Sequence, residues 1–442
     1  MTLISYDPSN GLVLGEVSVA DQDKINATIA HAKLQQLSWR QTPIHERSRI
    51  ISQAFKALIP FQDELAELLC KEMGKSLDRG TGEVRGALFS GSYYAAEAAK
   101  ALAPHTDGSG VQYRPLGVCA VISPWNYPLA MAVNLFVPAL VAGNTVVFKP
   151  SEETPLIAER FTRLLNQYLP EGILNILHGD GEVGSTIVAH ESIDLIAFTG
   201  SQAVGKQIMA SAASSLKRLI MELGGNDPMI VLEDANIKAA AQFAVASSFE
   251  NAGQMCTSTE RIYVAESISN EFIQEVTALA SQYRLGSWNE THADIGPIIN
   301  AKQVRKIQSH IDDALRKGAH LLLGGHVVQE RYIEPTVISG ISREMAMEQQ
   351  ETFGPVVAIS TFQTVSEAIA RANDSTYGLG AVVFGKQDAQ HVAAQLEAGM
   401  IGINKGPGGN GDSPWIGAKQ SGFGFHGSVQ GHRQFAQMTV VS

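Results

Sequence analysis

The chain has 442 residues, of which 45% are apolar and 17% charged, and 33 basic against 44 acidic side chains leave a net charge of -11. That length exceeds one ordinary core and predicts two or three domains. The negative balance, with no local basic stripe, argues against a nucleic-acid partner, and no apolar run is long enough to span a membrane.

Cys70, Cys119 and Cys256 are the three cysteines, widely spaced and without a C-x-x-C pair. Neither a disulfide framework nor a metal site is expected, and a reducing, cytoplasmic compartment fits. The start M-T-L-I-S-Y-D-P-S-N-G lacks a basic and then an apolar export region and reads as the first turn of a folded domain.

In chain order, the first hundred residues look mostly helical, with helices over 23–37 and 46–71. From Val118 strands and helices alternate. The runs 117–126, 144–150, 172–179 and 194–201 read as buried strands, and 128–142 and 154–168 as helices, with Thr154 and Pro155 as a cap and first-turn pair. This alternation predicts an α/β fold with a parallel sheet covered on both faces. A second α/β series follows E-L-G-G (222–225). It has strands at 227–232, 261–264 and 355–360 and helices at 237–249, 269–281, 301–317 and 366–373. The glycine-rich tail 404–431 reads as a long ordered loop before a short terminal strand, Q-M-T-V-V-S.

Several stretches could carry chemistry. F-T-G-S-Q-A-V-G (198–205) leaves a strand and opens a helix, so Gly200 and Gly205 permit close backbone approach to a phosphate. It is not G-x-G-x-x-G, and an ordinary βα turn has the same look. In F-K-P-S-E, Lys149 and Glu152 could bond ribose hydroxyls or simply be solvated. Glu222, among apolar neighbours, suits a general base with a raised pKa, or is a plain strand-end acid. Cys256, in G-Q-M-C-T-S, is either a thiolate nucleophile or an inert buried thiol. Asn126, in P-W-N, could donate to an oxyanion or serve a turn.

Together, P-W-N-Y-P, F-K-P-S-E, F-T-G-S, E-L-G-G, G-Q-M-C, E-T-F-G-P and K-Q-S-G-F-G resemble the aldehyde dehydrogenase superfamily, in that family's order and across essentially the whole chain. The resemblance implies a Rossmann-like NAD(P)-binding domain over 1–104 and 117–223 and an α/β catalytic domain over 224–420. It also implies a small β oligomerisation arm from 105–116 and 432–442, hence a homodimer or homotetramer.

By the same resemblance, Cys256 attacks the aldehyde, Asn126 and the Cys256 N–H hold the oxyanion, and Glu222 activates water against the thioester. Lys149, Ser151 and Glu152 serve the adenosine ribose, Trp125, Gly200, Ser201 and Gly205 the pyrophosphate region, and Glu351 with Phe353 the nicotinamide ribose. Thr199 and Leu223 lie near the nicotinamide. Glu222 favours a carboxylic acid product over acyl-CoA, and Glu152 favours NAD, with NADP also accepted.

Two positions depart from the family pattern. His426, in S-G-F-G-F-H, stands where an acid is expected, and Leu135 where a lysine is common. His426 is therefore one candidate outlet for the proton of Glu222. The segment 129–141 carries no arginine of the kind found in semialdehyde-specific relatives. With Tyr127, Met131, Asn134, Met255 and Trp415 as the tunnel, an aliphatic or aromatic aldehyde is expected. The alternatives are a succinate- or other semialdehyde dehydrogenase, a CoA-acylating enzyme, a cysteine hydrolase and a non-catalytic binding or structural protein on the same fold.

Overall fold

A computed structural model of the protein describes residues 1–104, 110–409 and 412–442. Two sheets organise it. The first has six strands in the order Gly422–Phe423, Arg218–Leu223, Leu195–Gly200, Val118–Ile122, Thr145–Lys149, Leu174–Ile176. All its pairs are parallel except that of Gly422–Phe423, which runs antiparallel to Arg218–Leu223. Val118–Ile122 and Thr145–Lys149 are buried along their whole length. Strands covered on both faces must be apolar throughout, which is why they read as continuous runs rather than alternating ones.

From Val118–Ile122 the chain moves two strands to one side and then returns to the other side at Leu195–Gly200. That reversal is a topological switch point, and the crevice beyond the strand ends there is where open α/β sheets take ligands.

The second sheet has seven strands in the order His320–Leu323, Thr336–Ser339, Val356–Phe362, Thr259–Ala265, Asp227–Val231, Gly380–Phe384, Met400–Ile403. The chain passes from the first sheet to the second through Gly224, Gly225 and Asn226. The end of Arg218–Leu223 therefore faces the loop that leads into Thr259–Ala265.

Helix boundaries follow local chemistry. Pro128–Val141 opens on proline and is buried along most of its length. Its Phe136 ring lies 6.3 Å from Phe55 and 6.2 Å from Phe148. Truncating a buried phenylalanine of this kind costs about 3–5 kcal/mol. Ala301–Arg316 begins at Asn300, whose side chain accepts from Gln303 N at 2.8 Å, a side-chain N-cap.

The helix expected over 46–71 is two, Ile44–Ala57 and Gln62–Met73, separated by a 3-10 turn at Ile59–Phe61 that contains Pro60. The first residues form an antiparallel hairpin, Thr2–Tyr6 with Val13–Ser18, within a region that otherwise reads as mostly helical. In the tail the expected loop contains short strands at Trp415–Ile416 and Phe425–His426 and a helix at Ser428–Arg433. The terminal strand, Ala436–Val440, pairs antiparallel with Val111–Pro115. Residues 105–109 of the expected arm lie outside the described residues.

Candidate active site

The parallel register of the first sheet brings three strand ends to one edge. Thr199 pairs with Glu222 and Gly200 with Leu223, while Ile122 runs into Pro124, Trp125 and Asn126. Opposite them lies the loop between helix Ile237–Phe249 and strand Thr259–Ala265, which carries Cys256. Between the two is a cavity of about 310 Å³. Cys256, Glu222 and Asn126 line it together, although 130 residues separate Asn126 from Cys256 in the sequence (256 − 126). So do Tyr127, Met131, Met255 and Trp415, and Trp125, Thr199, Gly200, Ser201, Leu223, Glu351 and Phe353.

The cysteine loop is held in an unusual backbone conformation. Asn251, Ala252 and Gly253 have φ of 52°, 59° and 71° in succession. Left-handed backbone at two non-glycine residues is costly and persists only where the surroundings enforce it. Gln254 supplies that enforcement. Its Nε2 donates to Asn251 O at 3.0 Å and to Pro297 O at 3.4 Å, and its Oε1 accepts from Ile299 N at 3.0 Å. Both glycines of E-L-G-G sit against close neighbours, Gly224 against a side-chain end and Gly225 against backbone. A Cβ on Gly224 would lie 2.5 Å from Glu351 Oε1, and one on Gly225 would lie 2.4 Å from Cys256 O.

Electrostatics set the acids and the thiol. Burial pushes the Glu222 carboxyl up to about 7, while hydrogen bonds from Trp415 and Cys256 act in the opposite direction. Glu222 Oε1 accepts from Trp415 Nε1 at 3.3 Å, and its Oε2 is buried with no hydrogen-bond partner among the described residues. Burial raises the Cys256 thiol well above its ordinary value, and Glu222, Asp227 and Glu351 push it the same way. Asn126 donates from Nδ2 to Gln254 O at 3.0 Å. An amide NH₂ carries two protons, so one is left for the cavity.

The residues fit a dinucleotide. Ser201 caps helix Gln202–Ala213, whose start presents free N–H groups beside Gly200. Among the described residues Glu351 Oε1 is a buried polar atom without a hydrogen-bond partner, as an atom awaiting a ligand would be. Glu351 and Phe353 sit on a loop held by Glu260, which accepts from Thr352 N at 2.6 Å and Phe353 N at 2.7 Å. Trp125 stands edge-on to Phe353, with ring centroids 5.6 Å apart.

Lys149, Ser151 and Glu152 do not line this cavity. They lie at the end of Thr145–Lys149, across Val118–Ile122 from the Gly200 loop, with Lys149 Nζ 3.6 Å from Glu152 Oε2. Gly205 is buried one helical turn below Ser201, where a Cβ would lie 2.8 Å from a Leu223 methyl. Asn134, half-buried on helix Pro128–Val141, does not line the cavity either.

His426 is buried and neutral near pH 7, because burial pushes it down to about 4. Its ring stacks on Trp415 at 6.3 Å, and among the described residues no hydrogen bond joins it to Glu222. Leu135 is core.

Two lining residues escaped the sequence reading, Gln303 and Lys306. Gln303 Nε2 donates to Thr352 O and Phe353 O, both at 3.0 Å, and the charge of Lys306 opposes the burial that raises the Glu351 carboxyl. On an amphipathic helix they look like solvated polar residues. Their spacing of three, which puts them on one face just after an N-cap, was the available signal.

Residues 1–441 match the Aldehyde dehydrogenase family. The chain belongs to that family. This aldehyde dehydrogenase is 34% identical over 450 residues to a glutarate-semialdehyde dehydrogenase of Pseudomonas putida, covering 100% of this chain and 94% of that one. The structure of a succinate-semialdehyde dehydrogenase from Burkholderia pseudomallei superposes with a TM-score of 0.95 at 36% identity, covering 99% and 94% of the two chains. An NAD-dependent aldehyde dehydrogenase from Sinorhizobium meliloti superposes with the same TM-score, 0.95, at 31% identity, covering 100% and 91%. The reaction class is NAD(P)-dependent oxidation of an aldehyde.

Proposed function

We propose that the protein oxidises an aldehyde to a carboxylic acid through a thioester on Cys256. The observation that supports this best is that Cys256, Glu222 and Asn126 converge on one cavity. Cys256, its thiol proton given up to solvent, bonds through Sγ to the carbonyl carbon as the thiolate. The free Asn126 amide proton and the Cys256 N–H donate to the oxygen as it becomes an oxyanion. Thr199, Glu351 and Phe353 would hold NAD, which would supply the hydride acceptor. Glu222 then takes a proton from water as the water attacks the thioester, and the acid leaves with Cys256 restored. Water suffices for this release, so no CoA is required.

The cofactor belongs to the layer formed by 1–104 and 117–223, and Glu152, beside Lys149, favours NAD over its 2′-phosphorylated form. Cys256, which carries the acyl group, belongs to 224–420, while Glu222 and Asn126 reach it from 117–223. The outer edge of Ala436–Val440 pairs with no strand among the described residues, and Met438 and Val440 are exposed on it. A second copy covering this edge makes the protein a homodimer or homotetramer. With all three cysteines free, a cytoplasmic setting fits. No helix among the described residues is long and apolar enough to cross a membrane.

An uncharged aliphatic or aromatic aldehyde suits the cavity end formed by Tyr127, Met131, Met255 and Trp415. Tyr127 donates its hydroxyl to Glu250 Oε1 at 3.1 Å, so a carboxylate stands behind this end. A semialdehyde is the second reading, favoured by the two semialdehyde dehydrogenases named above. Arg79, ion-paired to Glu250 at 2.9 Å, would be its cation.

The test is NADH production without CoA on hexanal, benzaldehyde, succinate semialdehyde and betaine aldehyde, with wild type and Cys256→Ala. Turnover that survives in the variant contradicts the mechanism. Strong preference for succinate semialdehyde selects the second reading.

A further inference from the structure

We propose that Lys75 and Glu83 are positioning residues that aim the Asn126 amide at the reacting carbonyl oxygen. This rests on the reading of Asn126 as an oxyanion donor. Neither residue lines the cavity, and neither belongs to the motifs that mark the family resemblance.

Lys75 and Glu83 form an ion pair, Nζ to Oε2 at 2.6 Å, with each side chain only 1% exposed. Buried charges must have every hydrogen-bonding position used, and here the leftover positions converge on one short segment. Lys75 Nζ donates to the backbone oxygen of Asn126 at 2.8 Å. Glu83 Oε1 accepts from Leu129 N at 3.0 Å and Ala130 N at 3.3 Å. These two N–H groups open helix Pro128–Val141, and Tyr127, at its N-cap position, makes no side-chain cap bond. A carboxylate from helix Leu77–Ala101 therefore does the work of the missing cap, at the end of the helix dipole that favours negative charge.

The segment 126–130 is thus held at both ends by a single charge pair. Between the two anchor points, the Tyr127 ring lies over the Lys75 ammonium, with Nζ 3.9 Å from the ring centroid. The grip extends to the cysteine loop, because Asn251 Nδ2 also donates to Asn126 O, at 3.3 Å. The Asn126 carbonyl therefore receives a cation from the N-terminal helical region and an amide from the loop preceding Cys256. With backbone and one amide proton fixed, the remaining amide proton has a set direction. An oxyanion donor stabilises charge only when its distance to the developing oxygen is right, and a displacement of about 1 Å can cost about 10²-fold in rate.

The test removes both charges together, so that no buried charge is left unpaired. In Lys75→Met/Glu83→Gln, the amide oxygen introduced at position 83 still accepts from Leu129 and Ala130, but the Lys75 donor to Asn126 O is gone and only the longer bond from Asn251 remains. Three quantities are measured: kcat with hexanal and NAD, KM for NAD, and the rate at which iodoacetamide alkylates Cys256. Alkylation is a displacement that needs no oxyanion donor, so it separates aim from general damage.

The expected result is a kcat lower by about 10²-fold with KM for NAD and the alkylation rate within about twofold of wild type. Glu83→Gln alone, which changes no volume, should show the same split with a smaller loss, about fivefold. Wild-type kcat in either variant overturns the proposal. So does a fall in alkylation that parallels the fall in kcat, since that marks collapse of the site. Absence of hexanal turnover in wild type, or its survival in Cys256→Ala, instead overturns the underlying reading of Asn126 and Cys256.

Discussion

Trp415 Nε1 donates to Glu222 Oε1 at 3.3 Å, although the tail that carries the tryptophan is separated from the carboxylate by most of the second sheet's sequence. The indole is a donor only, so it favours the ionised carboxylate and opposes the burial that lifts Glu222 to about 7. In Trp415→Phe that restraint is lost and the Glu222 pKa rises further. A base acts when deprotonated, so the acid limb of the pH–kcat profile moves to higher pH and kcat at pH 7 falls. The expected displacement is about one pH unit or less. An acid limb left in place would show that Trp415 does not tune Glu222.

The same carboxylate governs the thiol. Glu222 is the charged group that raises Cys256 most after burial. Glu222→Gln removes a negative charge beside the sulfur, lowers the thiol pKa and so raises the thiolate fraction at a given pH. Alkylation of Cys256 by iodoacetamide at pH 8 should therefore accelerate in the cofactor-free variant. A slower reaction would mean that Glu222 acts on the resting thiol chiefly as a proton acceptor.

Glu250 is the carboxylate behind the Tyr127 end of the cavity. Its Oε1 receives both the Tyr127 hydroxyl and Arg79 Nη1. In Glu250→Gln the carboxylate is neutralised and Arg79 is left without its counterion. The ratio of kcat/KM for succinate semialdehyde to that for hexanal should rise, by about tenfold, which corresponds to about 1.4 kcal/mol. An unchanged ratio would place Glu250 outside substrate recognition.

Gly253 closes the left-handed run before Gln254, and a Cβ there would lie 2.0 Å from Gly354 O. Backbone oxygens cannot yield as a flexible side chain can. Gly253→Ala should cost about 2 kcal/mol or more in thermal or denaturant unfolding and should reduce kcat at temperatures where the fold persists. A variant with wild-type stability and activity would show that the loop relaxes freely.

The sequence was most informative where chemistry and periodicity agree. Buried parallel strands announce themselves as continuous apolar runs, and helix 237–249 is found at its expected bounds. The seven motifs fall where strands end or where tight loops need glycine, and it was their resemblance to the family that implied a shared site for Cys256, Glu222 and Asn126.

Contacts made by ordinary-looking residues were not legible. Lys75 precedes helix Leu77–Ala101 and Glu83 lies in it, in a region whose sequence shows only general helical character, and only tertiary packing reveals that their charges are buried. Gln303 and Lys306 were hidden by the polar character of their helix face. The N-terminal hairpin was missed because its strands are short and mostly exposed, leaving little hydrophobic pattern, even though N-G at 10–11 marks a turn. Asn134 was placed on the tunnel by its helix, but a position on the right helix does not fix the face.

The central claim is that Cys256 carries the acyl group and Glu222 releases it. Glu222→Gln, mixed with hexanal and NAD, should form one equivalent of NADH per subunit and then stop, with the hexanoyl mass found on the peptide that contains Cys256. Sustained turnover in that variant, or an acyl mass on any other residue, would contradict the claim.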